Sequence, residues 1–299
     1  MRFHQAVAFL EVDHLLELCR ATDDLGFDGI FVSDHICYPK DLQSPYPYSP
    51  YEDGSPAWAP ESPWPDCWCL ISAMAAVTER LTFTTGVYVA PARDLLSVAK
   101  QVGTAAVISG DRVRCGVGAG WCKEEFDLTG QEFGNRGARL DDMIPALRAL
   151  WGGGWVEYHG SHYDVPPVML RPSPSRPVPV YVGGNSRPAM RRAVQLGDGW
   201  MCADVRPPDE AMELLQTFTA ELARAGRSEE GYPIYMTVAA PPEPDLNRRI
   251  RSGSGGVTDW ICAPWMLAEQ SSERAFSSTV ADKVAAAERF ADDVIAELR

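Results

Sequence analysis

The 299-residue sequence has no run of apolar residues as long as the roughly 18 that a membrane-spanning helix needs. Nor does a signal-peptide-like apolar stretch follow Met1-Arg2-Phe3-His4-Gln5, which leads straight into a strand-like segment. Positive charge is scarce: 27 Lys and Arg stand against 41 Asp and Glu, a net charge of −14. A nucleic-acid binder normally carries a basic face, so that class is excluded. An anionic cofactor remains compatible, because one end of a fold can be locally positive. Eight cysteines lie at 19, 37, 67, 69, 115, 122, 202 and 262, yet no C-x-x-C occurs. Their scatter through apolar segments suits buried thiols in a reducing compartment, so the expectation is a soluble cytoplasmic protein without a disulfide framework. No G-x-G-x-x-G follows the first strand, and neither a P-loop nor a nucleophile elbow is present.

What the sequence does contain is strand–helix alternation. Strand-like segments fall at Phe3–Phe9, Gly29–Ser33, Leu81–Val89, Arg112–Val117, Val178–Val182, Trp200–Ala203, Tyr232–Ala239 and Val257–Cys262. Helical periodicity fills Val12–Leu25, Leu70–Thr78, Leu95–Ile108, Ala138–Trp151, Arg187–Leu196, Glu210–Ala225 and Thr279–Leu298. Eight strands alternating with these helical segments over residues 1–299 predict a single-domain α/β fold, a (β/α)8 TIM barrel. A doubly wound sheet is the alternative, disfavoured by the missing phosphate turn. The stretch Pro241–Pro264 is irregular, with a flexible turn at Ser252–Gly256.

Residues 36–68 break the rhythm with eight prolines and seven Tyr or Trp in 33 positions. Such a stretch is neither a regular helix nor a central strand. It follows the second strand, so a barrel places it at the C-terminal mouth, where active sites sit. It reads as a lid stacking over a planar ligand, or alternatively as an oligomer contact or packed surface loop.

Four strand ends carry candidate chemistry. Ser33-Asp34-His35 sets a carboxylate beside an imidazole, suited to proton transfer, unless His35 merely caps the next loop. Gly86 lies inside a β-rich run, marking a bulge, a ligand approach or a packing glycine. Gly116-Val117-Gly118-Ala119-Gly120-Trp121 lets backbone approach something flat or anionic, and the following Glu124-Glu125 reads as a solvated helix start. Gly183-Gly184-Asn185-Ser186 opens a helix carrying Arg187, Arg191 and Arg192, an arrangement suited to an anion or to an ordinary capped turn. His159-Gly160-Ser161-His162 sits in a hairpin-like stretch, Val156–Val165, with no further ligands, so no metal is expected.

Together these pieces resemble a family. Leu25-Gly26-Phe27-Asp28-Gly29, Ser33-Asp34-His35, Thr78-Glu79-Arg80-Leu81 through Gly86-Val87, and the Gly116–Trp121 run come first. Arg136-Gly137-Ala138-Arg139-Leu140-Asp141, Leu150-Trp151, and Val182-Gly183-Gly184 through Gly197-Asp198-Gly199-Trp200 complete them. Over about residues 1–205, the chain resembles the luciferase-like monooxygenase superfamily, and within it the actinobacterial coenzyme F420-dependent oxidoreductases.

The resemblance implies a deazaflavin at the barrel mouth, with FMN as the alternative cofactor. It implies that Asp34 bonds the ring system, that His35 faces the substrate, and that Gly86-Val87 is a cis peptide behind the central ring. Gly120 and Trp121 would line the cofactor, and Gly183, Gly184, Asn185, Ser186 and Ala189 would cradle its phosphate. Catalysis would fall to His35, with Tyr88 and Tyr38 as helpers. Trp121 stands where sugar-phosphate dehydrogenases of the family carry an acid, which argues against that reaction and, with the aromatic loop, for an apolar or planar small-molecule substrate. The family also implies a homodimer. Two rival readings are an FMN-dependent monooxygenase and a non-catalytic cofactor-binding barrel.

Overall fold

A computed structural model describes residues 1–238, 256–268 and 278–298. Eight parallel strands close into a barrel: β1 (Arg2–Ala6), β2 (Gly29–Val32), β3 (Thr82–Thr85), β4 (Val113–Val117), β7 (Val180–Gly183), β8 (Gly199–Arg206), β9 (Ile234–Val238) and β10 (Asp259–Cys262). Their order around the barrel is β1-β10-β9-β8-β7-β4-β3-β2, and β2 returns to β1. The two remaining strands, β5 (Trp155–His159) and β6 (Asp164–Met169), form the expected hairpin outside the barrel. The major helices are α1 (Leu15–Asp24), α2 (Cys67–Ala75), α3 (Leu95–Ile108), α4 (Lys123–Leu128), α5 (Arg136–Trp151), α6 (Arg187–Leu196), α7 (Pro208–Arg224), α8 (Pro264–Ala268) and α9 (Val280–Phe290).

Strand alternation builds two apolar layers. In β2, Ile30 and Val32 join the large core beneath the helices, while Phe31 joins an inner cluster. That cluster, Phe31, Tyr181, Met201, Tyr235 and Ile261, fills the barrel, with Ala6 and Val87 packed against it. At the N-terminal end Asp259 holds β1 to β10. It accepts from Arg2 Nε and Nη2 at 2.7 and 2.6 Å, and its Oδ1 lies 2.7 Å from His4 Nε2.

Local chemistry moves several boundaries. β3 stops at Thr85 because the chain turns at Gly86, not at Val89. α2 begins three residues before Leu70, since Asp66 caps it by accepting from the Trp68 and Cys69 amides. β8 continues past Ala203 to Arg206. The C-terminal helix starts on a Thr279–Asp282 capping box and passes through a π turn at Ala291–Ile295. α4 is the short helix whose start Glu124-Glu125 marked, whereas α8 is too short for a periodic signal and was not expected. The expected end of the seventh strand at Ala239, and Ser252 to Gly255 of the expected turn, lie outside the described residues.

Candidate active site at the barrel mouth

The ends of β2, β3, β4 and β7 bring the four sequence-identified segments to one end of the barrel, the end where barrel enzymes carry their sites. Asp34 is turned into the wall. Its side chain is 1% exposed and meets Arg93 through both oxygens at 2.8 Å, and Oδ2 also accepts the Val89 amide at 3.0 Å. Burial pushes the Asp34 carboxyl upward, against the pull of the Arg93 charge and the Val89 amide. In this arrangement the carboxylate anchors Arg93 and the start of the segment after β3 to the end of β2.

Tyr88 lies in the same wall. It is fully buried, its hydroxyl donates to Gln101 Oε1 on α3 at 3.0 Å, and Arg93 lies 4.3 Å from its ring centre. Burial raises its hydroxyl far above the ordinary value. It braces the wall beneath Arg93.

The Gly86–Val87 peptide is cis, and both residues are partly exposed. The Val87 side chain sits between two glycines. A Cβ on Gly118 would lie 2.5 Å from one Val87 methyl, and a Cβ on Gly183 would lie 2.3 Å from the other. Gly86 faces the Phe31 ring, which a Cβ there would meet at 1.6 Å. These glycines are required by contacts inside the chain. Gly120 has φ +85°, a backbone state that favours glycine.

His35 is the centre of the mouth. Its imidazole is 12% exposed and lies among Trp58, Trp64 and Trp121, with ring centres 5.1, 4.8 and 5.7 Å away. Tyr46 packs on Trp58 and Trp121 at 5.0 and 5.2 Å, and Phe9, from the loop after β1, stacks on Trp58 at 5.8 Å. Three of these rings come from the 36–68 loop, which thus folds over the mouth. Tyr38, in the same loop, is partly buried.

Behind His35 stands a residue that sequence reading missed. Glu125 is 2% exposed, and its Oε1 lies 3.2 Å from His35 Nδ1. The same oxygen accepts the Ile36 and Cys37 amides at 2.6 and 3.2 Å. Burial pushes the Glu125 carboxyl up, but the His35 contact and the two amides outweigh it, leaving it below the usual value. Neighbouring Glu124 accepts the Gln43 and Ser44 amides at 2.8 and 3.0 Å. The pair that reads as a solvated helix start is bound to the loop instead. A signal was available: any residue just after β4 of a barrel lies at the mouth.

At the start of α6, Gly184 has φ +129°, and a Cβ there would meet Ala189 Cβ at 2.8 Å. Ser186 caps the helix by accepting the Ala189 amide at 3.4 Å. Asn185 ties this turn to β8, donating to Asp204 Oδ1 at 2.7 Å and accepting the Ala203 amide at 3.0 Å. The first amides of such a helix have no partner within it. Ser186 and Arg187 are exposed there, whereas Arg192 is buried against Asp141 on α5, 2.5 Å away, and Arg191 faces Glu221. Among the described residues no cluster of three His, Cys, Asp or Glu is placed to hold a metal. Likewise, no helix among them is long and apolar enough to cross a membrane. Two shallow cavities of about 420 and 470 Å³, both bordered by Asp198 and Arg227, lie at the opposite end of the barrel, before β8 and β9.

Fold and mouth together place the chain among (β/α)8 barrels whose working end is the C-terminal one. More narrowly, the chain belongs to the luciferase-like monooxygenase family, whose family model matches residues 4–244. It is 33% identical over 301 residues to an uncharacterized protein of Mycobacterium tuberculosis (strain H37Rv), covering 100% of both chains. It is 30% identical over 238 residues to an F420-dependent glucose-6-phosphate dehydrogenase of Microbacterium testaceum, covering 78% of this chain and 65% of that one. Among solved structures, the monooxygenase RslO1 from Streptomyces bottropensis matches with TM-score 0.74 at 17% identity over 100% of both chains. The coenzyme F420-dependent tetrahydromethanopterin reductase from Methanopyrus kandleri matches with TM-score 0.70 at 14% identity, covering 100% of this chain and 99% of that one. These two structural matches share the fold with this chain.

Proposed function

We propose that the protein is an oxidoreductase that uses the deazaflavin coenzyme F420 to move a hydride to or from a carbonyl, imine or activated alkene of a small apolar or planar substrate. The observation that carries this reading is the His35 imidazole at the mouth, backed by buried Glu125 and enclosed by Trp58, Trp64 and Trp121. The residues present fit a flat, phosphorylated cofactor. Gly86, Val87, Gly120 and Trp121 supply a thin backbone surface and an aromatic wall, while Gly183, Gly184, Asn185, Ser186 and Ala189 open α6, whose amides and dipole suit phosphate. Asn185 contributes by fixing this turn to β8, and Asp34 by holding Arg93. When bound, the deazaflavin supplies the hydride chemistry.

The chain's own work is to orient, to exclude water and to move a proton at His35. The loop's aromatic rings enclose the imidazole, and Glu125 orients it. Trp121 gives the mouth an indole where a sugar-phosphate reaction would need an acid, and the rings around it favour a planar or apolar substrate. The relatives named as F420-dependent support the deazaflavin over FMN.

A fluorescence titration with coenzyme F420 tests this. Saturable binding is expected, with His35→Ala retaining it while losing about 10²- to 10⁴-fold in turnover. Failure to bind F420, together with binding of reduced FMN and oxygen uptake, would replace this reading with an FMN-dependent monooxygenase. Full turnover by His35→Ala would remove His35 from the chemistry.

A further inference from the structure

We propose that Glu125 is a positioning residue that selects the tautomer of His35 and couples that choice to the seating of the 36–68 loop. The inference rests on the reading above only for what the proton does; the positioning itself stands on geometry. One oxygen, Glu125 Oε1, faces three groups: His35 Nδ1 at 3.2 Å and the amides of Ile36 and Cys37 at 2.6 and 3.2 Å. An ionised carboxylate accepts hydrogen bonds and cannot donate. His35 Nδ1 therefore carries the proton, and in the neutral ring Nε2 keeps its lone pair. The side chain of free histidine prefers the opposite, Nε2–H tautomer, so the fold imposes this one. The result is a ring whose Nε2 accepts a proton when neutral and returns it when charged, held in place by the buried carboxylate.

The same oxygen is the first anchor of the loop. Ile36 and Cys37 are its opening residues, and the next side chain along, Glu124, takes the Gln43 and Ser44 amides further on. The Lys123 amide also donates to Ser44 Oγ at 3.1 Å. The short helix α4 thus grips the loop at two points, while Trp121, just before it, packs on His35, Tyr46 and Trp58. Moving the loop's first turn takes amides from the oxygen that orients the imidazole. Loop seating and proton-transfer geometry are set by one atom.

The experiment uses the full-length protein without cofactor. Nitrogen-15 NMR of the histidine rings, with His35→Gln to assign the signal, reads the tautomer. Hydrogen exchange reads the Ile36 and Cys37 amides. In the wild type, the neutral His35 ring is expected in the Nδ1–H form. Glu125→Met removes the acceptor, and Glu125→Asp keeps the charge but withdraws it by one methylene. Each should mix the tautomers and speed exchange of both amides about tenfold or more. Glu125→Gln keeps an oxygen in place and should restore both signals. A folded Glu125→Asp protein that retains the Nδ1–H ring and slow amides overturns the proposal, as does a Glu125→Gln protein that loses both. Neither readout involves deazaflavin, so a protein that passes them but binds no F420 keeps the positioning role and loses only the cofactor assignment.

Discussion

Removing Arg93 would leave the Asp34 carboxylate buried with only the Val89 amide to satisfy it. An uncompensated buried charge is costly, so Arg93→Met should lower stability by about 3–5 kcal/mol, read as a shift in the urea midpoint. The pH dependence follows from Glu125. Its carboxyl lies below the usual value near 4.5 in the folded chain, so the stabilisation it provides is complete above that value and is lost as pH falls through the lowered one. Glu124, pushed down to about 2, acts in the same direction, but it is partly exposed and solvent screening leaves it a small share. Asp34 acts in the opposite direction, because burial raises its carboxyl. Urea midpoints measured from pH 6 down to pH 3 should fall, and fall less in Glu125→Gln; equal slopes would show that Glu125 contributes nothing. At this scale the sequence revealed His35 but not its partner. His35 and Glu125 are 90 positions apart, and an acidic pair before Phe126 looks like any helix start until the barrel brings α4 beside β2.

Among the elements, the 36–68 loop was legible as an aromatic cover because its proline content rules out regular structure. Its attachment to α4 was not, because a six-residue helix shows no period. Trp58 is the loop's keystone: it touches Phe9, His35, Tyr46, Trp64 and Trp121. It lies outside the barrel core and is partly exposed. Trp58→Ala should therefore speed proteolytic cleavage within residues 36–68 by about tenfold or more while leaving the barrel's melting temperature within a few degrees. Cleavage at the wild-type rate would mean that the loop is held by its backbone tethers alone. Boundaries shifted wherever a cap decided them. Asp66 starts α2 three residues early because a carboxylate can satisfy its first amides, a cause that apolar spacing does not register.

For the molecule as a whole, strand–helix alternation sufficed to identify the barrel, because among the described residues seven of the eight strands are followed by a helix and the strand order closes on itself. Sequence alone could not tell which glycines serve ligands and which serve the wall. Gly116 is a case of the second kind: a Cβ there would lie 1.8 Å from the Thr85 carbonyl oxygen, a backbone atom that cannot step aside. Gly116→Ala should separate β4 from β3 and leave little or no folded protein, checked by far-ultraviolet circular dichroism of the recovered material. The Asp259 clasp has a consequence for how the chain is made. His4 and Asp259 are 255 residues apart, and β10 is the last barrel strand to be synthesised. While the ribosome is still building the middle of the chain, β1 has one open edge and Arg2 and His4 lack their carboxylate. The barrel can close only once β10 has been made, so until then the nascent chain carries an incomplete sheet that has to be shielded from its neighbours.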